Sequence, residues 1–211
     1  MPIPIYHITH INNLPSILKS GGLMANSRLR QETIKYLDIA HGHIQDRRSI
    51  TRVPCGAGGT LHNYVPFYFA PRSPMLYAIH RKNVGQYSNG QTPILHLVSS
   101  AEAVETAGLS FVGADGHAAM EYTAFFDEIE YLYADGVIDW EIMETNYWAD
   151  TEEDGDRKRR RQAEFLVHQF FPWRLIEEIG VFNTTIQTQV KEILQKINVQ
   201  TPVRVYSKWY Y

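Results

Sequence analysis

A single α+β domain is the fold class this sequence predicts, on three observations. Its 211 residues are enough to bury one sizeable core. An apolar content of 44% with 12% aromatics argues for a packed globule and against a disordered chain. Strand-forming and helix-forming segments are mixed without a regular β-α-β alternation, which disfavours a doubly wound sheet. No internal repeat, low-complexity tract or linker divides the chain, so residues 1–211 are expected to fold as one unit.

IPIYHIT (3–9) has strand composition and is bounded by Pro and by the Asn12–Asn13 pair. NNLPSILKSGGL reads as a short helix with an Asn cap, Pro15 in its first turn and Gly21–Gly22 as a stop. Ile34 and Leu37, one turn apart, predict a second helix over residues 31–40. Residues 49–63 hold Pro54, Gly56, Gly58 and Gly59 and read as a loop. VPFYFAP (65–71) is an apolar strand closed by Pro71, followed by a helix capped by Ser73 with Pro74 at its first position. TPILHLVSS (92–100) is another strand, and Ser99 with Glu102 reads as a capping box for the next helix. EYTAFFDEIEYLY (121–133) reads as an amphipathic helix with its aromatics inward. AEFLVHQFF, GVFN and TPVRVYS predict three late strands, separated by a short helix at 173–178 and a longer one at 184–197.

Several function classes are excluded or disfavoured. No apolar run approaches the ~20 residues that cross a bilayer, and MPIPIYHITH shows no export signal. One cysteine, Cys55, forbids an internal disulfide and a Cys-rich zinc site, which fits a reducing cytoplasm. His7 and His10 point apart on an extended segment. His41 and His43 lack a Cys or acidic partner in a recognised pattern, so no metal is expected. The glycines of CGAGGT match no phosphate-binding spacing, and no serine-hydrolase, zinc-protease or kinase motif is present.

The net charge of −3 is unevenly spread. Five acids within residues 150–156 precede five consecutive basic residues, Arg157 to Arg161. Either the two halves compensate each other on a solvated face, or the basic run contacts phosphates. Just beyond it, alternation along QAEFLVHQF puts Glu164, Leu166 and His168 on one strand face. A carboxylate beside Leu166 suggests a face lining a cleft; an edge strand with Glu164 in solvent is the alternative. His7 and Thr9 share a face of the first strand, and Arg47 and Arg48 form a surface pair unless they approach Glu164.

Taken in order, PIYHITHINNLPSIL, AHGHIQDRRS, LHNYVPFYFAPRSPMLYAI, PILHLVSSAEAV, YWAD and RQAEFLVHQFFPWRLIEEIGVFN resemble the DarT family along nearly the whole chain. Members of that family are DNA ADP-ribosyltransferases and the toxins of toxin–antitoxin pairs. The resemblance implies an ADP-ribosyltransferase-like split, mostly antiparallel sheet with flanking helices. It implies NAD+ as donor, thymidine in single-stranded DNA as acceptor, nicotinamide as product and a cognate DarG-type antitoxin as partner of a monomer. By motif, Glu164 and Arg48 match the catalytic pair, and His7, Ile8 and Thr9 the NAD-binding strand. Tyr68 and Met75 match the nicotinamide end, and Ser16 with Leu23–Met24 borders the cofactor. His117, Tyr147 and Trp148 are candidate base contacts. Arg157, Arg159 and Arg160 are candidate phosphate contacts.

These residue types suit the chemistry. Breaking the nicotinamide–ribose bond develops positive charge on the sugar, which a carboxylate stabilises. A neutral pyridine leaves a cationic group, so no strong acid is needed. His7 and Thr9 can fix the cofactor so that its anomeric carbon faces the acceptor. The acceptor nitrogen must lose a proton, yet a guanidinium is normally no base. Arg48 is therefore either unusually perturbed or a stabiliser of the thymidine anion. Glu164→Ala, as removal of a cleft-lining carboxylate, is expected to leave folding nearly intact. Another acceptor (guanosine, RNA or protein) is one alternative. A non-catalytic nucleic-acid-binding module with a structural Glu164–Arg48 ion pair is the other.

Overall fold

A computed structural model describes residues 2–85 and 87–211. In chain order it contains β1 (Pro4–His10), α1 (Leu14–Lys19), β2 (Gly22–Met24), α2 (Asn26–Gln31), α3 (Gly42–Ile50), β3 (Tyr64–Tyr68) and α4 (Pro74–His80). There follow β4 (Ile94–Ser100), α5 (Ala101–Thr106), β5 (Phe111–Ala114), β6 (Phe125–Phe126), α6 (Trp140–Glu144) and α7 (Arg157–Arg160). Last come β7 (Glu164–His168), β8 (Phe170–Pro172), β9 (Glu178–Val181), α8 (Thr184–Lys196) and β10 (Val203–Val205). Among the described residues, no helix is long and apolar enough to cross a membrane.

Eight strands form one sheet in the order β10-β9-β4-β1-β3-β7-β5-β6, and β2 pairs with β8 in a second sheet. All pairs but β9–β10 are antiparallel. The fold class is therefore the expected one. β1 runs in full register with β4, from Pro4 opposite Ser100 to His10 opposite Ile94. Towards β3 it keeps a single registered pair, Tyr6 with Tyr68, and there the sheet splits. Pro66 in β3 has no N–H to give to a ladder. Its carbonyl instead accepts from His7 Nδ1 at 2.8 Å, so an imidazole bridges the opening.

Alternation along β7 decides what lies on each side. Phe165 and Val167 join the main core with Phe67, Phe171 and Leu97, while Leu166 belongs to a smaller cluster with Leu61, Tyr64 and Val112. β7 lies between β3 and β5, so the edge-strand alternative for Glu164 is ruled out.

Four local expectations fail. Residues 31–40 are not a helix; helix α2 ends at Gln31, and the backbone at Leu37 is held extended by Asn13, whose Oδ1 accepts from Leu37 N and whose Nδ2 donates to Leu37 O. Segment 121–133 is not a helix either. Phe125 and Phe126 pair with Ala114 and Gly113 in the sheet, and Ile129–Leu132 forms only a 3-10 turn. A Cβ at Gly113 would stand 2.1 Å from the Phe126 ring, so the strand exists because that glycine lets the ring lie across it. The Ser99–Glu102 capping box is absent: Ser100 is the N-cap without a side-chain bond, and Glu102 accepts from Ile3 N at 2.9 and 3.0 Å. The short helix after Phe171 is likewise one 3-10 turn, Trp173–Leu175.

Candidate active site

Glu164 opens β7 opposite Tyr68 on one side and Ala114 on the other. It is only 3% exposed. Helix α3 brings Arg48 to it across 116 residues of sequence, and Arg48 Nη1 donates to both carboxylate oxygens, at 3.0 and 2.8 Å. Ala118 N–H donates to Oε1 at 3.1 Å. Arg48 Nη2 is buried without a hydrogen-bond partner. A buried donor left unmade is costly, so this arginine is arranged for something besides Glu164.

His117 Nδ1 lies 3.9 Å from Glu164 Oε1, but it accepts from Ala119 N at 3.1 Å. Burial pushes the His117 imidazole below its ordinary range, the Glu164 carboxylate working against this and the Arg48 and Arg47 cations with it. The ring is neutral with its proton on Nε2, so its approach to Glu164 is not an ion pair. The Tyr68 hydroxyl is pushed above its ordinary range by burial and by the Glu164 charge. His7 is lowered to about 4 by burial, only partly offset by its bond to Pro66 O. Since Nδ1 donates to that carbonyl, Nε2 is left as an acceptor.

Two clefts share Arg48 of this pair. One is lined by His7, Ile8 and Thr9 of β1, Ser16 of α1, Met24 of β2 and Met75 of α4, together with Arg48 and Tyr68. All eight candidate cofactor residues thus share one cleft, which Asn13, Gln45 and His62 also line. The other contains Glu164, His117, Tyr147, Trp148 and Arg159. Arg48, Tyr68, Met75, Gln45 and Pro66 belong to both. Among the described residues no group of His, Cys, Asp and Glu could hold a metal ion.

Most of the basic run is engaged within the protein. Arg159 pairs with Asp115 at 2.8 Å and Asp156 at 2.7 Å, and Arg160 with Asp139 at 2.9 Å and Asp154 at 2.6 Å. A Cβ on Gly116 would meet Arg159 Nη1 at 2.3 Å, so the chain there is shaped around this guanidinium. Arg157 donates to the carbonyls of Tyr147 and Ala149, and neither it nor Arg160 lines the cleft. Asp154 and Asp156 of the acidic stretch take part in this pairing, together with Asp115 and Asp139 from elsewhere in the chain, so the compensating alternative holds in part. Lys158 and Gln162 do line the cleft. Lys158 belongs to the basic run the sequence pointed to, but Gln162, Tyr77, Met120 and Tyr122 there were missed. Helix α7 is a single turn, Arg157–Arg160, too short for hydrophobic periodicity to say which side chains face inward.

One energetic expectation also changes. With Glu164 buried against Arg48, alanine would strand a buried guanidinium, so Glu164→Ala is not structurally silent.

A family model described as "ssDNA thymidine ADP-ribosyltransferase, DarT" matches residues 6–211. A DNA ADP-ribosyl transferase of Thermus aquaticus is 50% identical over 214 residues, spanning 100% of this chain and 90% of that protein. A more distant relative from Thermosipho africanus, a DNA ADP-ribosyl transferase fused to a DNA ADP-ribosyl glycohydrolase, is 26% identical over 195 residues, 92% of this chain and 46% of the fusion. Among solved structures, Thermus sp. 2.9 DarT in complex with ADP-ribosylated ssDNA superposes with a TM-score of 0.91 at 48% identity, covering 100% of this chain and 97% of that one. The same protein in complex with NAD+ gives 0.88 at 45% identity, covering 100% and 98%.

Proposed function

The chain belongs to the DarT family of single-stranded-DNA thymidine ADP-ribosyltransferases, and from that premise we propose how its residues divide the work of moving ADP-ribose from NAD+ to a thymidine base. The observation that carries the proposal is the Arg48–Glu164 pair at the junction of two clefts, with one buried Arg48 nitrogen unfilled.

NAD+ occupies the first cleft. Thr9 and the free Nε2 of a neutral His7 meet its polar groups there. Tyr68 and Met75 border the nicotinamide end. The C1′–nitrogen bond breaks with its electron pair going to nicotinamide, which leaves neutral. Glu164 steadies the sugar cation and holds a ribose hydroxyl, because its negative charge is fixed in place before the reaction by Arg48 and the Ala118 N–H.

Single-stranded DNA enters the second cleft, where an unstacked thymine presents its ring nitrogen to C1′. Arg48 Nη2 donates to the anionic ring as the nitrogen loses its proton to solvent, to which this cleft opens. Arg48 is thus a stabiliser, and the anion rather than the neutral base attacks. The transfer rate at saturating substrates should therefore rise with pH from neutral towards alkaline conditions; a flat profile would return Arg48 to the role of base.

The Thermosipho fusion of a transferase to a glycohydrolase supports a partner of DarG type that removes the mark, the chain itself acting as a monomeric cytoplasmic toxin. Incubation with labelled NAD+ and oligonucleotides with or without thymidine tests the reading. Label should appear only on thymidine-containing strands. Label on thymidine-free strands would make guanosine or another base the acceptor, and retention without label would reduce the protein to a binding module.

A further inference from the structure

Helix α3 carries Arg48, yet no core seats it. None of its nine residues is buried, its N-cap His41 makes no side-chain cap bond, and Ile50 is 77% exposed. A helix with no buried apolar face is placed by whatever polar bonds its side chains make. Arg47 makes one, donating through Nη2 to the Ala119 carbonyl at 2.7 Å. Gln45 makes two more. It precedes Arg48 by three residues, which puts both on one side of the helix, and like Arg48 it lines both clefts.

The Gln45 amide is used at both ends. Nε2 donates to the Asp38 carboxylate, with its oxygens 3.2 and 3.4 Å away, and Oε1 lies 3.1 Å from His62 Nε2. An amide oxygen can only accept, so the His62 proton is on Nε2. His62 is 6% exposed. Burial pushes it below its ordinary range, the Arg30 and Arg48 cations acting the same way and the Gln45 bond and Asp38 charge against them. The ring is neutral and offers Gln45 a fixed donor. Both ends of the bridge are anchored in turn. His62 belongs to the 3-10 turn Leu61–Asn63 that leads into β3, whose last residue, Tyr68, is registered with Glu164. Asp38 Oδ1 accepts from Ala40 N at 2.9 Å, just ahead of the start of α3.

We propose that Gln45 is a positioning residue for Arg48: by joining Asp38 to His62 it sets α3 against β3, so that Arg48 Nη1 stays on Glu164 and Nη2 stays free for the acceptor. The proposal rests on the reading that Arg48 stabilises the acceptor anion. It adds that the rate of transfer depends on a residue acting through Arg48, since a group displaced by ~1 Å can lose about 100-fold.

The test reverses the polarity of the bridge. Gln45→Glu sets a second carboxylate against Asp38, and like charges in contact repel. At about pH 8 its kcat should fall about ten- to hundredfold, while KM for NAD+ and for the oligonucleotide moves less than about threefold. In acid the two carboxyls share a proton and His62 gains one, so kcat relative to wild type should recover as pH falls to about 5.5. Adding Asp38→Asn returns an amide donor to the bridge and keeps an oxygen for Ala40 N; this double variant should regain most of the lost kcat at both pH values. A Gln45→Glu variant with wild-type kcat, one that melts earlier while kcat holds, or a loss that Asp38→Asn does not repair would overturn the positioning role. Arg48→Ala is measured alongside. If it transfers as wild type does, the reading of Arg48 falls; if it loses transfer and Gln45→Glu does not, the positioning role alone falls.

Discussion

Two arginine–carboxylate assemblies in this molecule use the same chemistry under opposite conditions. Arg48 and Glu164 keep side-chain exposures of 12% and 4%, whereas Arg160 and Asp154 keep 28% and 33%. The outer assembly is saturated: Arg159 and Arg160 share four aspartates, and their protons are spent. The inner one is under-filled, with a whole Arg48 nitrogen idle between two clefts. Saturated pairs hold a loop in shape; an under-filled buried pair is poised for a ligand. Number of charges is therefore a poor guide to function here, since the run of five cations is mostly scaffolding and a single Arg of the DRR triplet sits at the junction.

Replacement of Glu164 should separate the two assemblies most sharply. Glu164→Gln keeps the shape but removes the charge and one of the two acceptor oxygens that Arg48 uses, and transfer should fall about 100- to 1000-fold with NAD+ still bound. Glu164→Ala should in addition lower stability by about 3–5 kcal/mol, read from denaturant melts, because Arg48 is left buried alone. If the alanine variant melts like wild type, Arg48 escapes to solvent and the inner pair resembles the outer one after all.

Acid should weaken the buried histidines before it reaches the outer assembly. His96 is fully buried, its Nε2 donates to the Pro71 carbonyl, and burial lowers its pKa from 6.5 to about 4. The unfolded chain takes up that proton first, so stability is complete above pH 6.5 and falls as pH drops towards 4. The loss is on the order of 3 kcal/mol from His96 alone. Asp154 and Asp156 are held below the ordinary carboxylate value of 3.8 by their bonds to Arg160 and Arg159. Their contribution is present above 3.8 and disappears only as pH falls through their lower folded values. His7 is lowered to about 4 as well and weakens the fold over the same window, so melts between pH 7 and 4 should weaken in wild type, about half as much in His96→Gln, and far less in the His7→Gln/His96→Gln double variant.

The smallest effect is expected at the outer assembly. Arg160→Ala should cost about 1 kcal/mol or less and leave KM for NAD+ unchanged. A larger loss of affinity for oligonucleotide than of stability would restore Arg160 to the DNA interface.

What was legible in the sequence follows from the range of the interactions involved. β1, β4 and β7 were visible as short runs rich in strand-forming residues between turn signals, and Glu164 stood out as an acid inside such a run. Segment 121–133 misled because its aromatics satisfy helical spacing, while the decisive partner, Gly113, lies on another strand. The Asn13 clamp on Leu37 spans 24 residues and the Arg48–Glu164 bond 116, and periodicity carries no trace of either. The family resemblance placed eight residues in one cleft, yet it gave no hint that Arg159 and Arg160 were already engaged.

The single registered contact between β1 and β3 has one more consequence. It leaves the molecule as two half-sheets joined by a seam, with the first cleft lined from both halves and Glu164 carried by the far one. Substitutions in the far half can then reshape the wall around Glu164 while the β1–β4 register that holds the near wall stays as it is.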